Sequence, residues 1–279
     1  MRIDLHSHST ASDGQLTPRE LMARAAEKEV DVLALTDHDT LGGLAEAAQA
    51  ATEFGVRLIN GVEISCLWQS LEVHVVGLNI QIDHQGLNAL LAEQQNRREL
   101  RAHLMAERLE KANFAGGYEG ARAIAGDAPI TRSHMAQWLV SQGAADSMGK
   151  VFKKFLSRGN TGYAPPNWCS LDEAITAIHQ AGGVAVLAHP TRYDLSNKWI
   201  RKMIIAFAEA GGDAMEVSMA QQSPQERATL GEWSKEYQLE ASVGSDFHFP
   251  SQWRELGRQL WLPKEATPVW TRFISGEQT

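Results

Sequence analysis

The sequence is organised around the stretch Asp4-Leu5-His6-Ser7-His8-Ser9-Thr10-Ala11-Ser12-Asp13-Gly14, which follows a short apolar run and precedes the first helix signal. Because side chains alternate along an extended segment, His6 and His8 point to the same side. Two imidazoles on one side, with Asp13 close behind, favour a divalent metal site at the end of a first strand. Two solvated histidines at a strand end would produce the same pattern, so the rest of the chain has to decide.

The composition is that of an ordinary globular protein. The 279 residues are 43% hydrophobic and 22% charged, which is enough for one barrel-sized domain with a large core. No apolar run is long enough to span a bilayer, and the first residues lack the pattern of a secretory signal. Cys66 and Cys169 form no CxxC pair and no disulfide framework. We therefore expect a cytoplasmic protein with no membrane partner and no obligate protein partner.

Short β-rich runs alternate with helical patterns along most of the chain. Three helices begin with a Ser/Thr-x-x-Glu capping box, at Thr17, Ser170 and Ser223. Such alternation predicts an α/β fold built on a mainly parallel sheet or barrel. The seven predicted strands are Arg2–Leu5, Val30–Thr36, Val56–Ile64, Glu72–Ile80, Val184–Ala188, Ala214–Val217 and Leu239–Val243.

The stretch 84–164 breaks this alternation, because it has helical patterns and no clear strand. Residues 87–109 read as one long helix with leucines on one face and a solvated charged face, and shorter helices follow around 132–141 and 147–156. The stretch holds 11 basic and 7 acidic residues, whereas the whole chain carries a net charge of −8. We expect residues 1–83 and 165–279 to form a barrel, and residues 84–164 a helical insertion that caps it and helps to hold an anionic ligand.

Candidate metal ligands follow the predicted strands, at the end of a barrel where loops converge and chemistry gathers. His74 is an exception, because it lies early in its strand and could be an ordinary buried histidine; Glu63 could be an edge charge and His38 a helix cap. Mixed imidazole and carboxylate ligands favour Zn²⁺, Mn²⁺ or Fe²⁺ over Ca²⁺. One ion takes about four to six ligands, so the set predicts two or three divalent ions. The candidates are His6, His8, Asp13, His38, Glu63, His74, His189, Asp246 and His248.

The order and spacing of these motifs resemble the polymerase and histidinol phosphatase (PHP) superfamily. The helical insertion resembles the TrpH-like branch, whose members include nucleoside 3′,5′-bisphosphate phosphatases and 5′→3′ exoribonucleases. The resemblance implies a distorted (β/α)7 barrel of the PHP type with a trinuclear metal site. It is carried by His6-x-His8, Thr36-Asp37-His38-Asp39, Gly61-Val62-Glu63, His74, Ala188-His189-Pro190, Gly244-Ser245-Asp246-x-His248 and the closing Gly162-Tyr163-Ala164-Pro165-Pro166.

The resemblance also implies how the ligands divide among three ions, with Mn²⁺ as first choice and Fe²⁺ or Zn²⁺ as alternatives. Glu63 is implied to bridge two of the ions. The three sets are His6, His8, Glu63 and Asp246 for one ion, Asp13, His38 and His248 for a second, and Glu63, His74 and His189 for a third.

The chemistry that we predict is hydrolysis of a phosphate ester. A metal-bridging hydroxide held by Glu63, Asp246 and His248 would attack phosphorus in line. Three further side chains are candidates for holding a substrate phosphate, namely Arg132, His134 and Arg192, although all three could be surface charges. The expected substrates are nucleoside 3′,5′-bisphosphates, which would lose the 3′-phosphate, and 5′-phosphorylated short RNA cleaved from the 5′ end.

Three other classes of protein fit part of the pattern. A histidinol phosphate phosphatase would share the metal ligands, although the basic stretch 84–164 favours nucleotides. A non-catalytic PHP module, of the kind attached to some DNA polymerases, could lose ligands, whereas this chain keeps all nine. A metal-dependent amidohydrolase would need a lysine bridge or a different set of late histidines, and neither occurs in the sequence.

Overall fold

The computed structural model describes residues 1–274, in which a twisted sheet curls into a ring of seven strands. The order around the ring is β1-β2-β3-β4-β6-β7-β8, and the short β5 pairs with the far end of β3. The Leu5 N–H donates to the Val243 carbonyl oxygen at 3.0 Å and brings β8 back to β1. The predicted distorted (β/α)7 barrel is therefore confirmed. The strands are β1 (Ile3–Asp4), β2 (Val32–Leu35), β3 (Arg57–Trp68), β4 (Leu71–Leu78), β5 (Cys169–Ser170), β6 (Val184–Leu187), β7 (Ala214–Met219) and β8 (Glu240–Gly244).

The strand β4 runs against both of its neighbours, which the expectation of a mainly parallel sheet did not include. It forms a hairpin with β3, in which Ser65 pairs with His74, and it is also antiparallel to β6. The start of β4 therefore lies at the same end of the barrel as the ends of the parallel strands. This reversal explains why His74 comes early in its strand and still reaches the other candidate ligands.

Helices cover the outside of the barrel, and each predicted capping box is present, at Thr17, Ser170 and Ser223. A fourth box, at Thr131, uses His134 in place of glutamate. Within residues 1–274 no helix combines the length and the apolar character that crossing a bilayer requires. The helices are α1 (Pro18–Glu27), α2 (Leu44–Phe54), α3 (Gln85–Glu110), α4 (Gly117–Ala125), α5 (Arg132–Ser141), α6 (Met148–Val151), α7 (Leu171–Gln180), α8 (Asn197–Glu209) and α9 (Pro224–Glu236), with a π turn at Phe152–Leu156 and 3-10 turns at Pro190–Arg192 and Val269–Arg272.

The interior of the barrel is apolar at one end and polar at the other. Alternation places Ile59 and Glu63 of β3 on the same face, and likewise Ala214 and Glu216 of β7. The first residue of each pair belongs to the apolar core, and the second lies in the layer of acids and histidines above it. The polar groups at the strand ends are therefore buried and lie directly above a packed apolar layer. The apolar layer contains Ile3, Leu5, Val32, Ala34, Ile59, Val76, Leu78, Val184, Val186, Ala188, Ala214, Val243 and Val269.

The helices α3 to α6 have an apolar core of their own, which includes Met105, Trp138 and Leu139. The face that α3 turns inward is not purely apolar. Gln94, Arg98 and Arg101 are buried on it, and Leu100, expected on the buried face, is 71% exposed. A solvated charged face therefore does not account for Arg98 and Arg101. The physical reason is that the middle of α3 crosses the polar end of the barrel, where buried carboxylates pair with its charges.

Candidate metal centre

All nine predicted ligands meet at the polar end of the barrel, and Glu63 lies at their centre with no exposed surface. The Glu63 Oε1 atom is 2.8 Å from His74 Nδ1 and 3.0 Å from His189 Nε2. Its Oε2 atom is 3.2 Å from the Nε2 atoms of both His6 and His8. His38 Nδ1 is 3.0 Å from the same Oε2 atom, so one carboxylate faces five imidazoles from four different parts of the sequence.

The donor atoms form three overlapping groups, each with all atoms within 4.8 Å of one another. The first group is the predicted set of His6, His8, Glu63 and Asp246. The second contains Asp13, His38 and His248 as predicted, and His8 lies close enough to join it. The third consists of Glu63, His74 and His38, whereas the predicted member His189 approaches through its contact with Glu63 Oε1.

Several buried ligand atoms lack a hydrogen-bond partner within the described residues, as expected of atoms that bind cations. Asp13 Oδ1, Glu63 Oε2 and His38 Nδ1 are shielded from solvent and have no hydrogen-bond partner within residues 1–274. Burial of a carboxylate oxygen without a partner is costly. A divalent ion removes that cost, and mixed nitrogen and oxygen donors at these separations are what such ions require. The residues therefore fit divalent metal ions.

The same crowding shifts the pKa values of the ligands. Burial alone would raise the pKa values of Glu63 and Asp246, but the facing histidines hold both well below their usual range. Burial alone would lower the pKa of His8 and of His74. Contacts with carboxylates outweigh it, and the pKa of His8 rises to about 9 and that of His74 to about 10. Without metal, protons on His8 and His74 therefore offset part of the negative charge of the buried acids.

Metal binding is expected to release protons at pH 7.5, because a metal ligand must be a neutral imidazole and the values for His8 and His74 lie above that pH. We expect a release of about one to two protons per protein, and an apparent metal affinity that rises as the pH is raised from 7 towards 9. Isothermal titration calorimetry in two buffers of different ionisation enthalpy measures this release. Equal heats in both buffers and an affinity that does not change with pH would contradict it.

A second layer of acids holds the ligands, and its key member, Glu216, was not predicted. Glu216 Oε1 lies 2.7 Å from His6 Nδ1, and its Oε2 accepts the main-chain N–H of His189 at 2.6 Å. When Nδ1 of His6 carries the proton, Nε2 is unprotonated and faces Glu63. Carboxylates that bond to metal-binding histidines commonly orient the imidazole in this way. The available sequence signal was a glutamate inside the run 214–219, whose other residues are apolar apart from Ser218, and only 1% of Glu216 is exposed.

Asp246 is held by an arginine that was also missed. The Arg254 Nη1 atom donates to the Asp246 carbonyl oxygen at 2.6 Å and to its Oδ2 at 3.2 Å. Asp246 has a φ of +52°, a strained left-handed conformation, so these bonds help to keep its carboxylate among the ligands.

A cavity of about 80 Å³ lies between the ligands and the helices α3 and α5. Three guanidinium groups line it, those of Arg98, Arg101 and Arg132. Arg98 bonds Asp39 and Arg101 pairs with Glu72, while Arg132 Nη2 stays 3.6 Å from Glu72 and its side chain is 38% exposed. Of the three, Arg132 is the most exposed and has the longest ion pair, so it is the best placed to meet a ligand anion.

The other two predicted phosphate-binding residues lie elsewhere. His134 is buried, and its Nδ1 accepts the Thr131 N–H at 3.1 Å, while its ring also bonds the main chain of Ser12. Arg192 is exposed and donates to the Ala220 carbonyl oxygen at 2.8 Å. The structure thus brings Arg132 to the cavity, and it places His134 behind the loop that carries Asp13.

The family model for the PHP domain matches residues 4–181, more than half of the chain. The chain belongs to the PHP domain family. Two solved structures are similar to it over nearly the whole length. An amidohydrolase from Chromobacterium violaceum, with bound sulfate and no metal, is 42% identical with a TM-score of 0.92, and the match covers 98% of this chain and 95% of that one. A protein from Bifidobacterium adolescentis described as a metal-dependent phosphoesterase is 29% identical with a TM-score of 0.80, covering 97% and 93%.

Two curated relatives carry names that state an activity. The 5′-3′ exoribonuclease Rnm of Escherichia coli is 53% identical, and the match covers 99% of this chain and 95% of the relative. The 3′,5′-nucleoside bisphosphate phosphatase of Chromobacterium violaceum is 43% identical, with 96% and 95% covered. Both relatives of this PHP domain chain are hydrolases of phosphoric esters.

Proposed function

We propose that the chain is a metal-dependent phosphoesterase that breaks the bond between phosphorus and the 3′ oxygen of a nucleotide carrying a 5′-phosphate. Its substrates are nucleoside 3′,5′-bisphosphates and the 5′ ends of short 5′-phosphorylated RNA. The observation that carries this proposal is the joining of the nine-donor cluster to a cavity lined by arginines. The names of the relatives, an exoribonuclease and a bisphosphate phosphatase, support the same bond as the target.

One reaction serves both substrates. Water adds to phosphorus, the bond to the 3′ oxygen breaks, and that oxygen takes a proton, so a nucleoside 5′-monophosphate leaves. From a bisphosphate the other product is inorganic phosphate. From RNA it is a shorter chain with a new 5′-phosphate, which is again a substrate, so cleavage proceeds from the 5′ end.

The metal content that we propose is two or three divalent ions, with Mn²⁺ as first choice and Fe²⁺ or Zn²⁺ as alternatives. The nine ligands would hold them, eight in the three groups described above and His189 beside Glu63 Oε1. When bound, such ions lower the pKa of a coordinated water to about 7 and neutralise phosphoryl oxygens.

The side chains of the protein orient the attacking water and the substrate. Glu63, Asp246 and His248 hold the attacking water, with Glu63 fixed by its contacts to His74 and His189. Arg132 holds the 5′-phosphate of the substrate, because its fork of donors faces the cavity beside His74. His134 acts behind them as a positioning residue, since Thr131 links it to Asp13 Oδ2 at 3.2 Å.

The helical stretch 84–164 caps the end of the barrel in this proposal. Its helix α5 supplies Arg132 and its helix α3 supplies Arg98 and Arg101, so one wall of the cavity comes from it and the other from the barrel. We also propose a cytoplasmic location, which the two free, buried cysteines support.

The test is a side-by-side assay of the metal-loaded and the chelator-treated protein. The substrates are adenosine 3′,5′-bisphosphate, 5′-phosphorylated and 5′-hydroxyl oligoribonucleotides, and histidinol phosphate. We expect high activity on the bisphosphate and on the 5′-phosphorylated oligoribonucleotide, and much weaker but measurable activity on the 5′-hydroxyl oligoribonucleotide. Chelation should abolish this activity and Mn²⁺ should restore it. A preference for histidinol phosphate would instead identify the protein as a histidinol phosphate phosphatase. Inactivity on every phosphoester would favour the non-catalytic module.

Replacement of Arg132 by alanine should raise KM for 5′-phosphorylated substrates by roughly 10- to 150-fold and leave kcat nearly unchanged, because a charge-assisted hydrogen bond contributes about 1.5–3 kcal/mol. Steady-state kinetics of Arg132→Ala measure this effect. Lys150→Ala is the matched control, since Lys150 is exposed and pairs only with Asp146 in the described chain. A 5′-hydroxyl substrate should not distinguish Arg132→Ala from the parent, and an equal loss on both substrates would reject the 5′-phosphate role.

A further inference from the structure

A second cavity, of about 230 Å³, lies beside the donor cluster at Asp13 and His248. It shares Asp13 and Ser133 with the arginine-lined cavity, so the two are neighbours across the ligand Asp13. His248, another ligand, also lines it. A substrate held over the cluster therefore has space in two directions.

The second cavity has a different chemistry from the first. Its walls include Phe249, Met148 and the amides of Gln15 and Gln137, and its one arginine, Arg254, is paired with Asp246. Phe249 directly follows the ligand His248 and is 45% exposed. An exposed aromatic ring beside the donor cluster, in a cavity that also has amide donors and acceptors, suits stacking of a nucleobase of any identity.

The 5′-to-3′ direction of an RNA chain determines which part of the substrate each cavity would hold. In the proposed function, on which this step rests, the 5′-phosphate lies at Arg132 and the scissile phosphate lies over the donor cluster. The residue on the 3′ side of the scissile phosphate then lies on the side of the cluster away from Arg132. We infer that the cavity beside Phe249 binds the second nucleotide of an RNA substrate, whose base stacks on the Phe249 ring.

This subsite distinguishes the two classes of substrate. A nucleoside 3′,5′-bisphosphate has no second nucleotide, so it gains nothing from Phe249. A 5′-phosphorylated dinucleotide differs from it by one added nucleoside at the scissile phosphate. The preference of the enzyme for diester over monoester substrates therefore depends on the Phe249 cavity.

The experiment compares Phe249→Ala with the parent on two matched substrates, adenosine 3′,5′-bisphosphate and the 5′-phosphorylated dinucleotide pApA. The ratio of kcat/KM for pApA to that for the bisphosphate should fall roughly 5- to 100-fold, the loss expected from one base–aromatic stack. Phe249→Trp should restore the ratio. Trp253→Ala is the control, because Trp253 is an exposed aromatic in the same loop that does not line this cavity.

A pApA analogue with an abasic second residue completes the test. The parent enzyme should lose about the same factor on this analogue, and Phe249→Ala should lose little more. An equal fall on pApA and the bisphosphate would assign the ring to the first nucleotide and overturn the inference, as would an unchanged ratio. If the parent cleaves neither substrate, the proposed function itself has failed. Phe249 is half exposed, so its replacement leaves the core intact, and thermal melting verifies this.

Discussion

Replacing Glu63 by glutamine should lower kcat/KM for adenosine 3′,5′-bisphosphate by roughly a thousandfold or more, because loss of a single preorganised group at a reacting centre already costs about 10²–10³ in kcat. Glu63 has the most contacts of any ligand in the cluster. Its two oxygens face His74 and His189 on one side and His6 and His8 on the other. A neutral amide keeps the size of the side chain but removes the charge that two of the three donor groups share.

The measurement is steady-state kinetics together with metal analysis of the purified variant. We expect fewer bound ions per protein, and a thermal transition of the metal-free protein that shows a folded chain. Glu232→Gln is the matched control, because it makes the same chemical change on the exposed side of α9. Full activity of Glu63→Gln, with unchanged metal content, would remove Glu63 from the centre of the site.

Glu216→Gln should weaken metal binding or activity by about 10–100-fold, the usual range for a carboxylate that supports a metal-binding histidine. Glu216 contacts no substrate in the proposed function. It bonds the His6 ring at 2.7 Å and the His189 main chain at 2.6 Å, so it orients two ligands at once. The amide of glutamine supplies one acceptor where the carboxylate supplies two.

Titration of metal-free Glu216→Gln with Mn²⁺ measures the affinity directly, and saturating metal should restore most of the activity. Glu240→Gln on the adjacent strand β8 is the control, since Glu240 pairs with the surface residue Arg272. An unchanged affinity for Mn²⁺ would show that Glu216 only fills space. A lowered melting temperature with normal affinity would lead to the same conclusion.

Much of the fold and the ligand set could be predicted because the signals are local. Each of the seven predicted strands overlaps a strand of the ring, and the His and acidic residues stand at strand ends in the motifs around His6, His38 and Asp246. The direction of β4 could not be predicted, because periodicity shows which side chains share a face and not which way a strand runs. The two-residue β5 gave no pattern at all.

The groups that support the ligands were harder to predict than the ligands. Arg98 and Arg101 read as solvent-facing charges on a long helix, and only the packed structure shows their acidic partners Asp39 and Glu72. The guanidinium groups of both arginines also lie over the buried ring of Trp168, at 5.0 and 5.1 Å from its centroid. This ring is therefore not available for stacking by a nucleobase of the substrate. Buried ion pairs of this kind form between residues that are far apart in the sequence, and local sequence patterns do not show which residues will pair.

The central claim is that nine side chains from both ends of the sequence hold a cluster of divalent ions. Anomalous diffraction from crystals of the Mn²⁺-loaded protein tests it most directly. We expect two or three anomalous peaks, each within coordination distance of donors from the three groups around Glu63, Asp246 and Asp13. Absence of any peak at this site at saturating Mn²⁺, or a peak bound by other residues, would contradict the account.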